Sequence, residues 1–328
     1  MKLLVTGGAG FIGSNFVRRA LTDSYPNLAG VEIVVLDALT YSGNLENLAP
    51  ISDSPRYSFV HGDIRDRELL DRILPGLDGV VHFAAESHVD RSVRDASIFV
   101  ETNVLGTQAL LDACLHHGVA RFVHVSTDEV YGSISEGSWK EDHILEPNSP
   151  YSASKAGSDL LVRSYFRTHG LNTSITRCSN NYGPYHFPEK VIPLFVTNLL
   201  DGKKVPLYGE GLNIRDWLHV DDHCRGIALV ITGGRPGEIY NIGGGTELTN
   251  KELTEKLLSA TGATWDSVEH VADRLGHDLR YSVDHGKIHA ELGYTPQVTL
   301  EEGLAEVVQW YRDNRAWWEP LKARAALN

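Results

Sequence analysis

Methionine occurs once and cysteine only three times, as Cys114, Cys178 and Cys224. The three thiols are widely spaced, odd in number and without a CxxC pair. That excludes a disulfide framework and a thiolate zinc site, and it suits a reducing compartment. Basic charge is also scarce: 30 Lys and Arg stand against 43 Asp and Glu, a formal net charge of −13. A polyanion needs a basic face, so no nucleic-acid partner is expected, whereas a small phosphorylated ligand needs only a few local cations or a helix N-terminus. No apolar run approaches the ~18 residues of a membrane span. The opening Met1-Lys2-Leu3-Leu4-Val5-Thr6-Gly7 enters a strand-like run at once, where no signal peptide fits. What these absences leave is a soluble cytoplasmic protein with no membrane partner. Its 328 residues, 42% apolar and 22% charged, suffice for about two domains and a substantial core.

Short β-rich runs alternate with helical periods through the first half. Residues 2–6, 31–36, 57–60, 79–85 and 121–126 read as strands. The 31–36 run is apolar except for Glu32, as in a strand buried on both faces. Residues 11–23 repeat Ile12, Phe16 and Ala20 at helical spacing, and 68–74 and 97–117 also read as helices. Such alternation predicts an α/β fold, a Rossmann doubly wound parallel sheet. Near Arg177 the pattern loosens into Gly- and Pro-rich loops, with helices legible at about 250–260 and 300–314. The expected division is a dinucleotide-binding domain over 1–178, to which about 214–244 partly returns, and a smaller α/β substrate domain over 179–328.

Gly7-Gly8-Ala9-Gly10-Phe11-Ile12-Gly13 follows the first strand and opens the first helix. Glycines there permit a tight turn and bring a pyrophosphate against free N–H groups at the helix N-terminus. Asp37, at the end of the second strand, suits an adenosine ribose and repels a 2′-phosphate, which favours NAD over NADP. Asp63, and Phe83-Ala84-Ala85 ending the fourth strand, line the adenine and ribose side. Asp63 serves equally well as an N-cap for the next helix.

Ser126-Thr127-Asp128-Glu129-Val130-Tyr131-Gly132 ends the fifth strand, at the sheet edge that faces a ligand crevice. Ser149 and Pro150 make a good N-cap and first helical position, so Tyr151 and Lys155 fall one turn apart on one helix face. An ammonium beside a phenol is expected to lower the Tyr151 pKa, with Thr127 bonding the same substrate hydroxyl. Two adjacent carboxyl groups, Asp128 and Glu129, suit a reaction in which a second proton pair moves. As a structural alternative they are a solvated pair or a cap. His82 lies in an apolar strand and reads as a core residue, and His116 and His117 close a helix. No metal is expected.

Taken together, the glycine loop, the Thr127 strand end and Tyr151-x-x-x-Lys155 resemble the extended short-chain dehydrogenase/reductase family over essentially the whole chain. Within it, Thr127-Asp128-Glu129 with Tyr151 and Lys155 is similar to the catalytic set of the dTDP-glucose 4,6-dehydratases. The stretches 84–92, Ser179-Asn180-Asn181-Tyr182-Gly183-Pro184-Tyr185 and Phe187-Pro188-Glu189-Lys190 resemble that group too. The resemblance implies NAD as cofactor and a nucleotide-sugar substrate, oxidised at C4, dehydrated across C5 and C6, and reduced at C6. It adds Thr40, Ile64, Thr102 and Asn181 to the cofactor set. For the substrate it implies Ser87, His88, Thr127, Asn180, Lys190, Val191, Pro206, Tyr208, Arg215, Asn250, Arg274 and His277. His219, where the family often has Tyr, reads as packing. A homodimer through helices near 97–117 and 151–168 follows by analogy. The alternatives are a UDP-hexose 4-epimerase and a nucleotide-sensing scaffold without turnover.

Overall fold

The computed structural model describes residues 1–273 and 276–326. Its strands are β1 (Lys2–Thr6), β2 (Glu32–Asp37), β3 (Tyr57–His61), β4 (Gly79–His82), β5 (Arg121–Thr127), β6 (Thr173–Cys178), β7 (Asn180–Tyr182), β8 (Val205–Tyr208), β9 (Ile214–His219), β10 (Ile239–Ile242), β11 (Glu247–Thr249) and β12 (Val268–Val271). Seven form a wholly parallel sheet in the order β10-β6-β5-β4-β1-β2-β3. The order reverses between β1 and β4, so a crevice opens beyond their carboxyl ends. Smaller sheets, β11-β9-β7 and β12-β8, belong to the later chain.

Apolar runs explain the large sheet. Leu3 and Val5 face one layer, with Phe16 and Val17 of the helix Phe11–Leu21 and Ile227 of the helix Val220–Gly233. Leu4, Val80 and Phe122 face the other, with Leu110 and Val162 of the helices Thr107–His116 and Pro150–His169. A third core joins the helices Val191–Leu200, Asn250–Thr261, Leu300–Asp313 and Arg315–Ala326 around Trp217, Tyr311 and Trp318.

Three departures from the expected elements bear on the site. The fourth strand stops at His82 and not at 85. Phe83 N–H still donates to the Thr6 carbonyl at 3.1 Å, but Ala84 N–H turns to the Thr6 side chain at 3.3 Å, and the chain leaves the ladder. The helix over 97–117 is interrupted by a π-helical stretch, Val100–Gly106. This stretch contains the buried Asn103, whose Oδ1 accepts from Glu86 N–H (2.9 Å) and whose Nδ2 donates to the Glu86 carbonyl (3.0 Å) and to Ser154 Oγ (2.8 Å). Irregular turns of this kind often sit at functional sites. The helix Arg315–Ala326, not expected from the sequence, ties back to the chain's beginning: Trp317 Nε1 donates to Asn47 Oδ1 at 3.0 Å, and Asn47 Nδ2 to the Ala9 carbonyl at 2.9 Å.

Buried Asp216 of β9 joins three segments. Its oxygens accept from Ser179 Oγ (2.6 Å), Gly244 N–H (3.0 Å) and Thr246 N–H (2.8 Å). Asp216→Asn turns one acceptor into a donor facing donors. It should cost about 1–3 kcal/mol, seen as a lower urea midpoint; an unchanged midpoint would contradict this account.

Candidate active site

The first helix begins at Gly10, which no side chain caps, so the N–H groups of its opening turn are available to an anion. Gly7 has φ +69°, and a Cβ there would lie 2.6 Å from Ala84 N. At Gly13 a Cβ would overlap the Gly7 carbonyl oxygen. Glycine at these two positions lets β1, the loop after β4 and the helix close together. Asp37 is buried, its oxygens accepting from Ala9 N–H (2.9 Å) and Leu39 N–H (2.8 Å). Asp63 is not a helix cap; that place is taken by Asp66. Asp63 instead accepts from the Arg65 backbone and guanidinium at 2.7–3.0 Å.

A cavity of about 330 Å³ runs from this loop to the end of β5. Every residue expected at the cofactor lines it: Gly7, Gly10, Phe11, Ile12, Gly13, Asp37, Thr40, Asp63, Ile64, Phe83, Ala84, Ala85, Thr102, Tyr151, Lys155 and Asn181. An elongated cleft with an uncapped helix N-terminus at one end and a buried carboxylate beside it fits a dinucleotide diphosphate lacking a 2′-phosphate. A second cavity, about 220 Å³, is lined by His88, Asn180, Lys190, Val191, Pro206, Tyr208, Arg215, Asn250 and His277. Ser87 and Thr127 line the first cavity; Arg274 lies outside the described residues. The cavities meet at Glu129, Asn180, Asn181, His186, Glu189 and Lys190.

At that junction the helix Pro150–His169 begins with a reciprocal cap between Ser149 and Ser152. Tyr151 and Lys155 follow, both buried. Lys155 Nζ donates to the Val125 carbonyl at 2.7 Å. Burial pulls the Lys155 pKa down to about 8. The expected lowering at Tyr151 is corrected: its phenol is held above its usual range, first by burial and second by the nearby Glu129 charge, while a bond with Thr127 favours ionisation. Burial outweighs the nearby lysine, one of whose three N–H donors is directed to a backbone carbonyl.

Thr127 ends β5 and caps the short turn Asp128–Tyr131, accepting from Glu129 N–H at 3.2 Å and donating to Asp128 Oδ1 at 3.3 Å. Asp128 is 2% exposed, and its Oδ2 has no hydrogen-bond partner among the described residues. Burial, then the Glu129 charge, holds its carboxyl well above the usual range. Two adjacent carboxyls thus occupy unlike environments, Asp128 almost wholly buried at the wall of the first cavity and Glu129 opening on both cavities.

Sequence reading missed several lining residues. His186 lies flat against Phe11, ring centroids 4.0 Å apart. Glu189 accepts from Arg91 Nη2 at 3.2 Å. Tyr281 lies under the Arg215 guanidinium at 4.2 Å, which itself donates to the Ile214, Asp278 and Leu279 carbonyls. Glu189 sits in a stretch that carried the resemblance; Tyr281 left no local signal. His82 is a satisfied core residue, bonded to Thr6 and Thr107. His219 and His223 stand four apart without converging: His219 caps a helix through Asp221 N–H and packs edge-on to Tyr182, and His223 bonds Asn181. Among the described residues no group of three or more His, Cys, Asp or Glu is placed to hold a metal.

The profile of the family described as GDP-mannose 4,6 dehydratase matches residues 4–307. A dTDP-glucose 4,6-dehydratase of Streptomyces niveus is 61% identical over 98% of this chain and 96% of its own length. The chain belongs to the dTDP-glucose 4,6-dehydratase family. A solved member, DesIV from Streptomyces venezuelae with NAD and TYD bound, superposes with TM-score 0.97 at 67% identity, covering 98% of this chain and 100% of that one. The UDP-glucose 4-epimerase of Thermotoga maritima superposes with TM-score 0.88 at 33% identity, covering 96% and 100%. The scaffold is therefore shared by dehydratases and epimerases.

The Asp128 shift has a consequence for stability. A carboxyl whose folded pKa is raised binds its proton more tightly in the native state, so stability falls as pH rises from the unfolded value of ~3.9 toward the folded one. Asp128→Asn should melt at a higher temperature than the wild type at pH 7, with the gap closing below about pH 4. A lower melting temperature at neutral pH is the refuting result.

Proposed function

We propose that this chain converts dTDP-D-glucose to dTDP-4-keto-6-deoxy-D-glucose and water, as an NAD-dependent hydro-lyase of deoxysugar biosynthesis. The observation that carries the reading is the carboxyl pair at the end of β5, with Asp128 buried and Glu129 at the junction of the cavities. When bound along the first cavity, NAD supplies a hydride acceptor at C4 and a donor at C6. Tyr151, as the phenolate that Thr127 and the Lys155 ammonium stabilise once substrate and NAD are in place, removes the C4 hydroxyl proton. The resulting ketone acidifies the C5 hydrogen, which Glu129 takes as base. Asp128, kept protonated by its burial, donates to the departing C6 hydroxyl, which leaves as water. Reduction at C6 and reprotonation at C5 complete the cycle without net redox change.

Lys190 and Arg215, with Arg274, supply local positive charge for the diphosphate on this acidic chain. Ser87, His88, Asn180, Val191, Pro206, Tyr208, Asn250 and His277 surround the nucleotide sugar. On this reading the cofactor side draws mainly on residues 1–178 with part of about 214–244, and the substrate side mainly on the rest of 179–328 together with Arg215 of β9. Exposed Val100, Leu105 and Leu160, at 48%, 54% and 55%, support a homodimer through the two helical segments that carry them. Three free, buried cysteines suit the cytoplasm, and no described helix is long and apolar enough to cross a membrane.

Purified protein given dTDP-glucose deuterated at C4 should yield a product one water lighter with deuterium at C6. Unchanged mass with inverted C4 would indicate the epimerase, and no turnover a binding scaffold. Tyr151→Phe should abolish oxidation, whereas Glu129→Gln should permit C4 oxidation and lower dehydration by roughly 10²–10⁴. Normal product release from Glu129→Gln would remove its assigned role.

A further inference from the structure

Beneath the candidate active site, between the sheet and the helix Pro150–His169, lies a layer of charge that the chemistry above does not use. Asp159, one helical turn beyond Lys155, is 1% exposed, and Arg177 of β6 is 3% exposed. Arg177 Nε donates to Asp159 Oδ2 at 2.9 Å, and Nη1 to the Tyr131 hydroxyl at 2.8 Å. That hydroxyl donates to Asn241 Oδ1 at 2.9 Å. From β5, His124 Nε2 lies 3.4 Å from Asp159 Oδ1 and 3.2 Å from Ser158 Oγ. Ser158 in turn donates to the Lys155 carbonyl at 2.8 Å.

A buried ion pair is often no more stabilising than well-packed apolar residues of the same volume. Elsewhere this helix–sheet contact is filled by Phe122, Val162 and Ile175. Stability alone therefore gives no reason for Asp159 and Arg177, but their position does. The ionisable groups around Lys155 are Tyr151 and Asp159 on its own helix, His82 of β4, His124 of β5 with Asp128 and Glu129 beyond it, and Arg177 and Cys178 of β6. Burial raises the Tyr151 phenol, the Cys178 thiol and the Asp128 carboxyl, favouring the uncharged form of each before substrate binds. Burial likewise lowers His82, and lowers His124 to about 4, so both rings are neutral. Glu129 opens onto the cavities, and Arg177 is engaged by Asp159 and Tyr131. Asp159 differs: although burial acts to raise it, Arg177 and His124 hold it below the usual carboxylate range.

We infer that Asp159 is the counter-charge that keeps the Lys155 side chain an ammonium, with Arg177 and His124 holding that carboxylate ionised and in place. Asp159 is a positioning residue: it acts on the sugar only through Lys155, and the inference rests on the role proposed for Lys155 in C4 oxidation. The sign is fixed by the charges. Burial draws the Lys155 pKa down, and the Asp159 charge acts against it. Removing that charge makes the ammonium a stronger acid, so the alkaline limb of turnover moves to lower pH.

The test is kcat against pH on dTDP-glucose for wild type, Asp159→Asn and the double variant Asp159→Asn/Arg177→Met. The double variant leaves no unpaired guanidinium in the core, so the test survives if the single variant fails to fold. Asp159→Asn should show its alkaline limb about one pH unit lower, a tenfold loss of proton affinity, and the double variant, which also loses the Arg177 charge, a smaller shift in the same direction. In parallel, the ¹³Cε resonance of Lys155 in ¹³C-lysine protein, assigned by its loss in Lys155→Met, should titrate lower by the same amount in each variant, without any substrate. A Lys155 titration that does not move overturns the inference. A wild type without turnover but with the shifted titration overturns the dehydratase reading alone. A shifted titration with an unmoved kcat limb overturns the link between the Asp159 charge and C4 oxidation.

Discussion

Withdrawal of water is the constraint on which the site depends. Tyr151, Lys155 and Asp128 are ionisable groups that exposure would leave near their ordinary pKa values. Here they are 8%, 4% and 2% exposed, packed between the carboxyl end of β5 and one turn of helix. Burial penalises charge on all three, so each protonation state is decided by the few neighbours that push back. Thr127 favours ionisation at Tyr151, while Glu129 opposes it at both Tyr151 and Asp128. The same withdrawal makes a single carboxylate under the helix matter to the lysine above it.

The scaffold decides where chemistry happens, and a few side chains decide which. The epimerase from Thermotoga maritima shares the fold at TM-score 0.88, so neither the parallel sheet nor the glycine loop selects elimination. In the mechanism we propose, selection falls to the turn Asp128–Tyr131. In a 3₁₀ turn successive side chains diverge by about 120°. Adjacent carboxyls therefore point to different surroundings, and the Thr127 cap fixes the turn that separates them. Adjacency in sequence becomes difference in environment, which an acid and a base working in concert require.

Much of this was legible because it is local. The β1 and β2 runs are apolar since parallel strands are covered on both faces, the glycine spacing marks the loop, and Ser149-Pro150 marks the helix that carries Tyr151 and Lys155. What sequence did not reveal is contact between distant segments. The end of β4 depends on Thr6, the π-helical stretch on what Asn103 meets across the site, and the short strands β7, β8, β11 and β12 on partners far along the chain. Tyr281 enters the second cavity by such a route: the chain at Arg280 bridges to Ile214, bringing the ring under Arg215. The misjudged Tyr151 shift has the same origin, because helical spacing gives the Tyr–Lys approach and says nothing of how deeply both are buried.

The two cavities are one construction. Asn47 accepts from Trp317, donates to the Ala9 carbonyl in the glycine loop, and through its own carbonyl accepts from Arg18 at 2.6 Å. The Arg18 guanidinium in turn covers the Tyr185 ring at 4.1 Å, and the next residue, His186, lies against Phe11. Tyr185 holds this arrangement at φ +66°, a conformation costly for a non-glycine residue and kept only where its surroundings insist on it. The wall shared by the cavities is therefore positioned from the cofactor loop on one side and the C-terminal helix on the other. A reaction that must take a hydride from C4 and return it to C6 of the same sugar needs both ligands held by common parts, and this segment is such a part.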